Sequence, residues 1–226
     1  MLECRWSTMK QAGREIRARG ISARGAPIEE QSEKMTTDDV YQLPPGLPVP
    51  ADDGAARHLA GMLLPPVALP STSGGLVRLD DAAVPWAVVY CYPRTGRPDA
   101  LALGSTENWN AIPGARGCTP QSCAYRDHHS DFQEFGAVVY GLSTQTTDYQ
   151  REAVSRLRLP FALLSDSTGA FSAPLRLPWF EVAGERLLKR LTLIIRQGRI
   201  AHCLYPVFPP DRDAETVLAW LRDQAT

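Results

Sequence analysis

Cys118 and Cys123 lie five residues apart in the run Gly117-Cys118-Thr119-Pro120-Gln121-Ser122-Cys123-Ala124-Tyr125-Arg126-Asp127. A thiol that opens a helix faces unpaired backbone N–H groups and the positive end of the helix dipole, and both favour thiolate over thiol. A second cysteine a turn and a half later is placed to capture whatever the first becomes on oxidation. The pair reads as redox chemistry. One competing reading is a pair of buried structural thiols, the common state of free cysteine. The position at a helix start argues against it. Another is a zinc site built from Cys118, Cys123, His128 and His129. Adjacent histidines on a helix point about 100° apart, and the spacing fits no common zinc pattern. His128 and His129 therefore read as a solvated helix face.

For this chemistry a helix must begin at Cys118 and a strand must deliver the chain to it. The spacing predicts a helix from Cys118 to Phe135, since Pro120 is tolerated in the first turn and Gly136 can end it. Upstream, Trp86–Tyr92 is a continuous apolar run of strand length, expected to be buried on both faces, with Cys91 as inert core. Leu63–Leu79 reads as two short strands around a Gly-rich turn. Ala137–Leu142 and Phe161–Leu164 are further strands, and Asp148–Leu159 is a helix closed by Pro160. Gly169–Leu177 is expected as a short helix. Leu187–Arg196 and Ile200–Tyr205 flank Gln197-Gly198 as a hairpin, with Cys203 on its second strand. Asp211–Asp223 places Ala214, Val217, Leu218 and Leu221 on one stripe behind an Asp cap, a closing amphipathic helix. This order predicts an α/β domain with a mixed central sheet and helices on both faces.

The 226 residues suffice for one well-buried domain, placed at 55–226, with residues 1–54 left over. Residues 1–34 carry Arg5, Lys10, Arg14, Arg17, Arg19 and Arg24 with few acids, and read as a disordered extension or, alternatively, a targeting segment. Residues 40–52 read as a proline-rich linker. A formal net charge of −1 gives no electrostatic case for nucleic acid. No apolar run approaches a membrane span. The expected setting is the cytoplasm, where thiols stay reduced. Five cysteines (Cys4, Cys91, Cys118, Cys123, Cys203) then divide into two working thiols and three bystanders.

With these elements in place the chain resembles the peroxiredoxins (alkyl hydroperoxide reductase/thiol-specific antioxidant family), on a thioredoxin-like fold. The likeness is to the PrxQ, or bacterioferritin comigratory, branch. That branch carries two cysteines five apart on one helix in a pattern like Gly-Cys-Thr-x-Gln/Glu-x-Cys-x-x-Arg-Asp, matched by Gly117 to Asp127. The segment from Leu64 to Leu79, the Tyr-Cys-Tyr-Pro strand end and the Arg190-Leu-Thr-Leu-Ile-Ile-Arg-Gln-Gly hairpin add to it, over about residues 58–224. The resemblance implies an antioxidant thiol peroxidase. Cys118 is its peroxidatic cysteine, Cys123 its resolving cysteine, and Cys118–Cys123 the redox-active disulfide, reduced by a thioredoxin-like donor. It gives Arg190 the stabilisation of thiolate and oxyanion, and puts Thr119, Gln121 and Arg126 at the active-site helix. It implies no metal, haem, flavin or other cofactor. A monomer is expected.

The chain also departs from the family. The positions three and seven before the nucleophile, a hydroxyl and a proline there, hold Ala115 and Ala111. Pro93 survives two dozen residues upstream, and Thr95, Ser105 or Thr106 is left to supply the hydroxyl. The intervening insertion is expected to cover the site around Trp109. The departure keeps two other functions in play: a thiol–disulfide oxidoreductase, and a redox-sensing adaptor. Geometry adds an expectation of its own. Five residues of helix place two Cα atoms roughly 8–9 Å apart, whereas a disulfide needs about 7 Å or less. Oxidation is thus expected to melt residues 118–124 locally.

Overall fold

The computed structural model describes residues 41–81, 84–97 and 106–225. The readings of residues 1–34 and of Ser105 fall outside them. In chain order the elements are β1 (Ala68–Pro70), β2 (Leu76–Arg78), β3 (Trp86–Cys91), α1 (Thr106–Ala111), α2 (Cys118–Asp127), α3 (His129–Glu134) and β4 (Ala137–Ser143). They continue with α4 (Thr147–Leu157), β5 (Leu163–Ser165), α5 (Ser172–Leu175), β6 (Trp179–Val182), β7 (Glu185–Leu188), β8 (Leu191–Arg196), β9 (Arg199–Leu204), a 3-10 turn at Pro210–Arg212 and α6 (Asp213–Gln224).

A five-stranded sheet of order β5-β4-β3-β8-β9 forms the centre. β3 pairs in parallel with β4 and antiparallel with β8, so it lies inside the sheet, as its unbroken apolar run requires. Alternate residues of β3 feed two cores. Ala87, Val89 and Cys91 join Leu59, Leu69, Phe171 and Leu175 on one face, while Val88, Tyr90 and Tyr92 join Tyr125, Phe132, Leu157, Leu218 and Leu221 on the other. The crossovers β3-α2-β4 and β4-α4-β5 step the same way across the sheet, and a common hand puts both helices on one face. Leu175 of α5 packs into the core of the other face, with Ala87, Val89 and Cys91. This is the mixed α/β architecture expected.

Four boundaries differ from expectation. The helix read as Cys118–Phe135 breaks at His128, which leaves helical geometry at φ −99° and ψ 11° while its ring bonds Asp131 at 2.7 Å. The break turns Phe132 into the core, and Gly136 follows in the left-handed region. The long strand Leu187–Arg196 divides, because the Lys189 N–H bonds the Pro178 carbonyl at 2.8 Å and turns β7 to pair with β6 outside the main sheet. α1 forms within the insertion, where Trp109 meets Phe180 of β6 at 6.3 Å between ring centres. Finally, no Asp side chain caps the last helix. Its cap position is Arg212, and Asp213 turns inward instead. The hairpin at Gln197-Gly198 forms as read.

Candidate active site

β3 and β8 run antiparallel with Cys91 opposite Leu191. The end of β3 and the start of β8 therefore share one edge of the sheet, and the loop to α2 departs from that edge. Arg190, immediately before β8, is held over the start of α2 by this register. Gly117 caps α2 at φ 106°, in the left-handed region that favours glycine. A side chain there would run into Pro210 and come within 2.8 Å of Leu43, so the cap is a close crossing of three segments. Pro50 lies in the same way against Gly114. The proline-rich run turns at Gly46 (φ 77°) and packs along the loop before Cys118. Its end is tied by Asp53, which accepts from Lys189 at 2.6 Å and from Tyr205 at 2.8 Å.

Cys118 opens α2 and is only 4 % exposed. The Gln121 N–H bonds the Gly117 carbonyl at 3.0 Å and Pro120 has no N–H, which leaves the amides of Cys118 and Thr119 as the helix-end donors. Arg190 is buried and spreads its guanidinium over the loop. It donates to the carbonyls of Gly114 (3.3 Å), Ala115 (3.1 Å) and Arg116 (3.2 Å), to Oε1 of Gln121, and to Sγ of Cys118 at 3.2 Å. Among the described residues no carboxylate bonds Arg190 directly. A buried guanidinium requires a counter-charge nearby. The buried Asp213, bonded to Gln121, lies near enough for its charge to act on Arg190, and the Cys118 sulfur is in direct contact with it. This contact joins a thiol and a donor-only guanidinium fork from residues 72 positions apart, an arrangement able to favour an anionic sulfur and to hold a developing oxyanion.

The remaining sequence-selected residues separate by role. Cys123 is half-buried on the same helix, and no disulfide joins the two cysteines. Thr119 is buried in the first turn. Gln121 is fully buried and joins two groups, taking a hydrogen bond from Arg190 on its oxygen and giving one from its amide nitrogen to Asp213 at 2.7 Å. Arg126 ties α2 to the end of α4, donating to the Leu157 carbonyl at 2.9 Å as well as to Asp127 at 2.8 Å. His129 stacks on Phe161 with ring centres 6.0 Å apart, and burial lowers its pKa.

Ala115 puts its carbonyl, and no hydroxyl, beside the sulfur, 3.7 Å from Cys118 Sγ. Thr95 is buried elsewhere, with its hydroxyl bonded to Gln145 at 3.1 Å. Trp109 meets Phe180. Cys91 and Cys203 face apolar core, where burial drives both thiols toward the neutral form, Cys203 to a pKa of about 12. A cavity of about 670 Å³ near β6 and β7 is lined by Arg176, Trp179 and Lys189 and excludes Cys118.

Residue typing alone misses Asp213. It is 2 % exposed, and one of its oxygens accepts from Gln121 (2.7 Å), Tyr125 (2.9 Å) and Thr192 (2.7 Å). Its sequence signal, an acid near a helix start, is that of an ordinary cap.

Comparison with known proteins agrees with this geometry. The Redoxin family profile matches residues 59–218. A chloroplastic peroxiredoxin Q of Gentiana triflora is 24 % identical over 201 residues, which cover 87 % of this chain and 84 % of that protein. Peroxiredoxin Bcp of Escherichia coli K12 is 27 % identical over 175 residues, 74 % of this chain and 97 % of the relative. Among solved structures, peroxidoxin BcpB from Mycobacterium tuberculosis is similar with a TM-score of 0.58 at 26 % identity, covering 74 % of this chain and 98 % of that one.

Proposed function

Because the chain belongs to the Redoxin family and is a PrxQ/Bcp-like peroxiredoxin, a thiol peroxidase on a thioredoxin-like fold, we propose that Cys118 is its peroxidatic cysteine and Cys123 its resolving one. The observation that carries this is the contact of Arg190 with Cys118 Sγ, made by a buried guanidinium with no bonded carboxylate among the described residues. The Cys118 thiolate attacks one peroxide oxygen. The O–O bond breaks, the second oxygen leaves as hydroxide or alkoxide and takes a proton, and the sulfur becomes sulfenic acid. Arg190 and the first-turn amides bear the charge that develops on the leaving oxygen. Cys123 then attacks the Cys118 sulfur, the S–S bond forms, and the sulfenic oxygen departs as water. A thioredoxin-like dithiol returns both thiols by exchange.

Thr119 and Gln121 serve by shaping the helix start, and Arg126 by tethering α2. We place the enzyme as a monomer in a reducing compartment, the cytoplasm. Several relatives, the Gentiana triflora protein among them, are chloroplastic by name. Among the described residues no helix is long and apolar enough to cross a membrane.

The disulfide requires motion, since Cys118 and Cys123 sit five residues apart on one regular helix whose first five residues are all buried. The first turn therefore opens on oxidation. Stopped-flow measurement of sulfenic acid formation tests the assignment. Wild type and Cys123→Ser should react with hydrogen peroxide at the same fast initial rate, and only the variant should accumulate sulfenic acid. Reactivity no greater than that of a free cysteine thiol would overturn it and favour the oxidoreductase or adaptor role that Ala115 suggests.

A further inference from the structure

Asp213 enters the site from α6, 92 positions beyond Gln121. Its Oδ2 accepts three hydrogen bonds, from the Gln121 amide nitrogen at 2.7 Å, the Tyr125 hydroxyl at 2.9 Å and the Thr192 hydroxyl at 2.7 Å. Gln121 and Tyr125 stand one turn apart on α2, and Thr192 follows Arg190 by two residues on β8. One carboxylate oxygen thus joins the nucleophile's helix to the arginine's strand.

A glutamine amide has a donor end and an acceptor end, and burial lets it satisfy both only in the right orientation. Arg190 is donor-only and faces Gln121 Oε1. If the amide were turned around, its NH₂ would meet guanidinium N–H groups and its oxygen would meet the carboxylate. Asp213, an acceptor toward Gln121, excludes that arrangement. The orientation of Gln121 in turn fixes the guanidinium branch that reaches Cys118. The carboxylate is also used against its local role, since α6 starts without a side-chain cap and the other oxygen, Oδ1, is buried with no hydrogen-bond partner among the described residues. A half-satisfied buried carboxylate costs stability, so its placement points to the site.

We propose that Asp213 is a positioning residue of the peroxidase, acting through Gln121 to hold Arg190 against the Cys118 sulfur. The inference rests on Cys118 being the reactive thiol.

The test reads Cys118 alone, in a Cys4→Ala/Cys91→Ala/Cys123→Ser/Cys203→Ala background, by the pH profile of iodoacetamide alkylation and by the rate of sulfenic acid formation with hydrogen peroxide. Asp213→Leu should shift the alkylation profile to higher pH and slow the peroxide step roughly 10- to 100-fold, the scale of a displaced catalytic group. Asp213→Asn, which keeps an oxygen for Gln121, should restore most of that loss. An unchanged profile and rate in folded Asp213→Leu would overturn the proposal. Should Asp213→Leu not fold, Gln121→Glu supplies the comparison. It sets two carboxylates face to face and should be crippled, and adding Asp213→Asn should recover at least tenfold by letting residue 213 donate. No recovery would overturn the proposal as well. Alkylation needs no peroxide, so a profile shift in a protein inert to peroxide would sink the peroxidase reading and leave the positioning role standing.

Discussion

Cys118 and Cys91 are the same residue, almost equally buried at 4 % and 0 % exposure, at the two ends of one β3–loop–α2 unit. Cys91 points into the face of the sheet filled by Leu142, Leu191 and Leu193, where nothing offsets the loss of water and burial holds its thiol neutral. Cys118 lies on the other face with a guanidinium nitrogen 3.2 Å from its sulfur and a helix end behind it. Burial alone therefore does not decide whether a cysteine is reactive. In the proposed roles what meets the sulfur does, and the two lie on opposite faces because the pleat of β3 turns Cys91 one way while α2 packs on the other.

The comparison breaks most visibly at Arg190. Arg190→Met leaves Cys118 as buried as before but without its fork, and peroxide reduction should fall by about 10²–10³-fold, as when one oxyanion donor is removed. Stopped-flow kinetics checks this, and a loss of less than about threefold would remove the contact from the mechanism. Lysine should rescue only part, since a point charge cannot also span the three carbonyls.

Cys91→Ala should leave that rate unchanged while lowering stability by about 1 kcal/mol, the scale of one deleted buried group. Urea unfolding measures the second quantity. In the native protein at neutral pH, iodoacetamide should label Cys118 and spare Cys91 until the chain unfolds. Labelling of both at one rate would erase the distinction.

The smallest effect separates contact from nearby charge. Lys189 adjoins Arg190 but pairs with Asp53 at 2.6 Å on the surface. The bond from Lys189, then those from Tyr205 and the Ala55 N–H, hold the Asp53 carboxyl at a pKa of about 2, below its ordinary 3.8. A depressed folded-state pKa stabilises the protein fully above about pH 4, and the contribution is lost as pH falls toward 2. Asp53→Asn should flatten that acid limb by less than about 1 kcal/mol, as for exposed pairs. It should not alter the Cys118 rate. A faster rate in this variant, where the Lys189 charge is left uncompensated, would mean that general positive charge, not the guanidinium contact, activates the sulfur.

Much of this was legible in the chain. The apolar run of β3, the Gln197-Gly198 hairpin and the stripe of α6 announce themselves through spacing, because each depends on residues within a few positions. The break at His128 and the division at Lys189 were not legible, since one follows from how Phe132 seats in the core and the other from a bond between Lys189 and the distant Pro178 carbonyl. Gln121 and Arg190 could be named from a motif, but not their contact. Asp213 could not be named at all, because as a string it is an acid at the start of a helix.

By itself, then, the sequence determined the two cysteines on one helix, the strand that leads to them and the kind of chemistry they perform. These are local properties, written in residue type and period. Only the tertiary structure decided which thiol meets a cation, which arginine supplies it, and which carboxylate orients the glutamine between them. Those pairings join residues 69 to 92 positions apart, and they exist only because the register of β3 against β8 and the packing of α6 on α2 bring donors and acceptors into a buried space where each must find a partner.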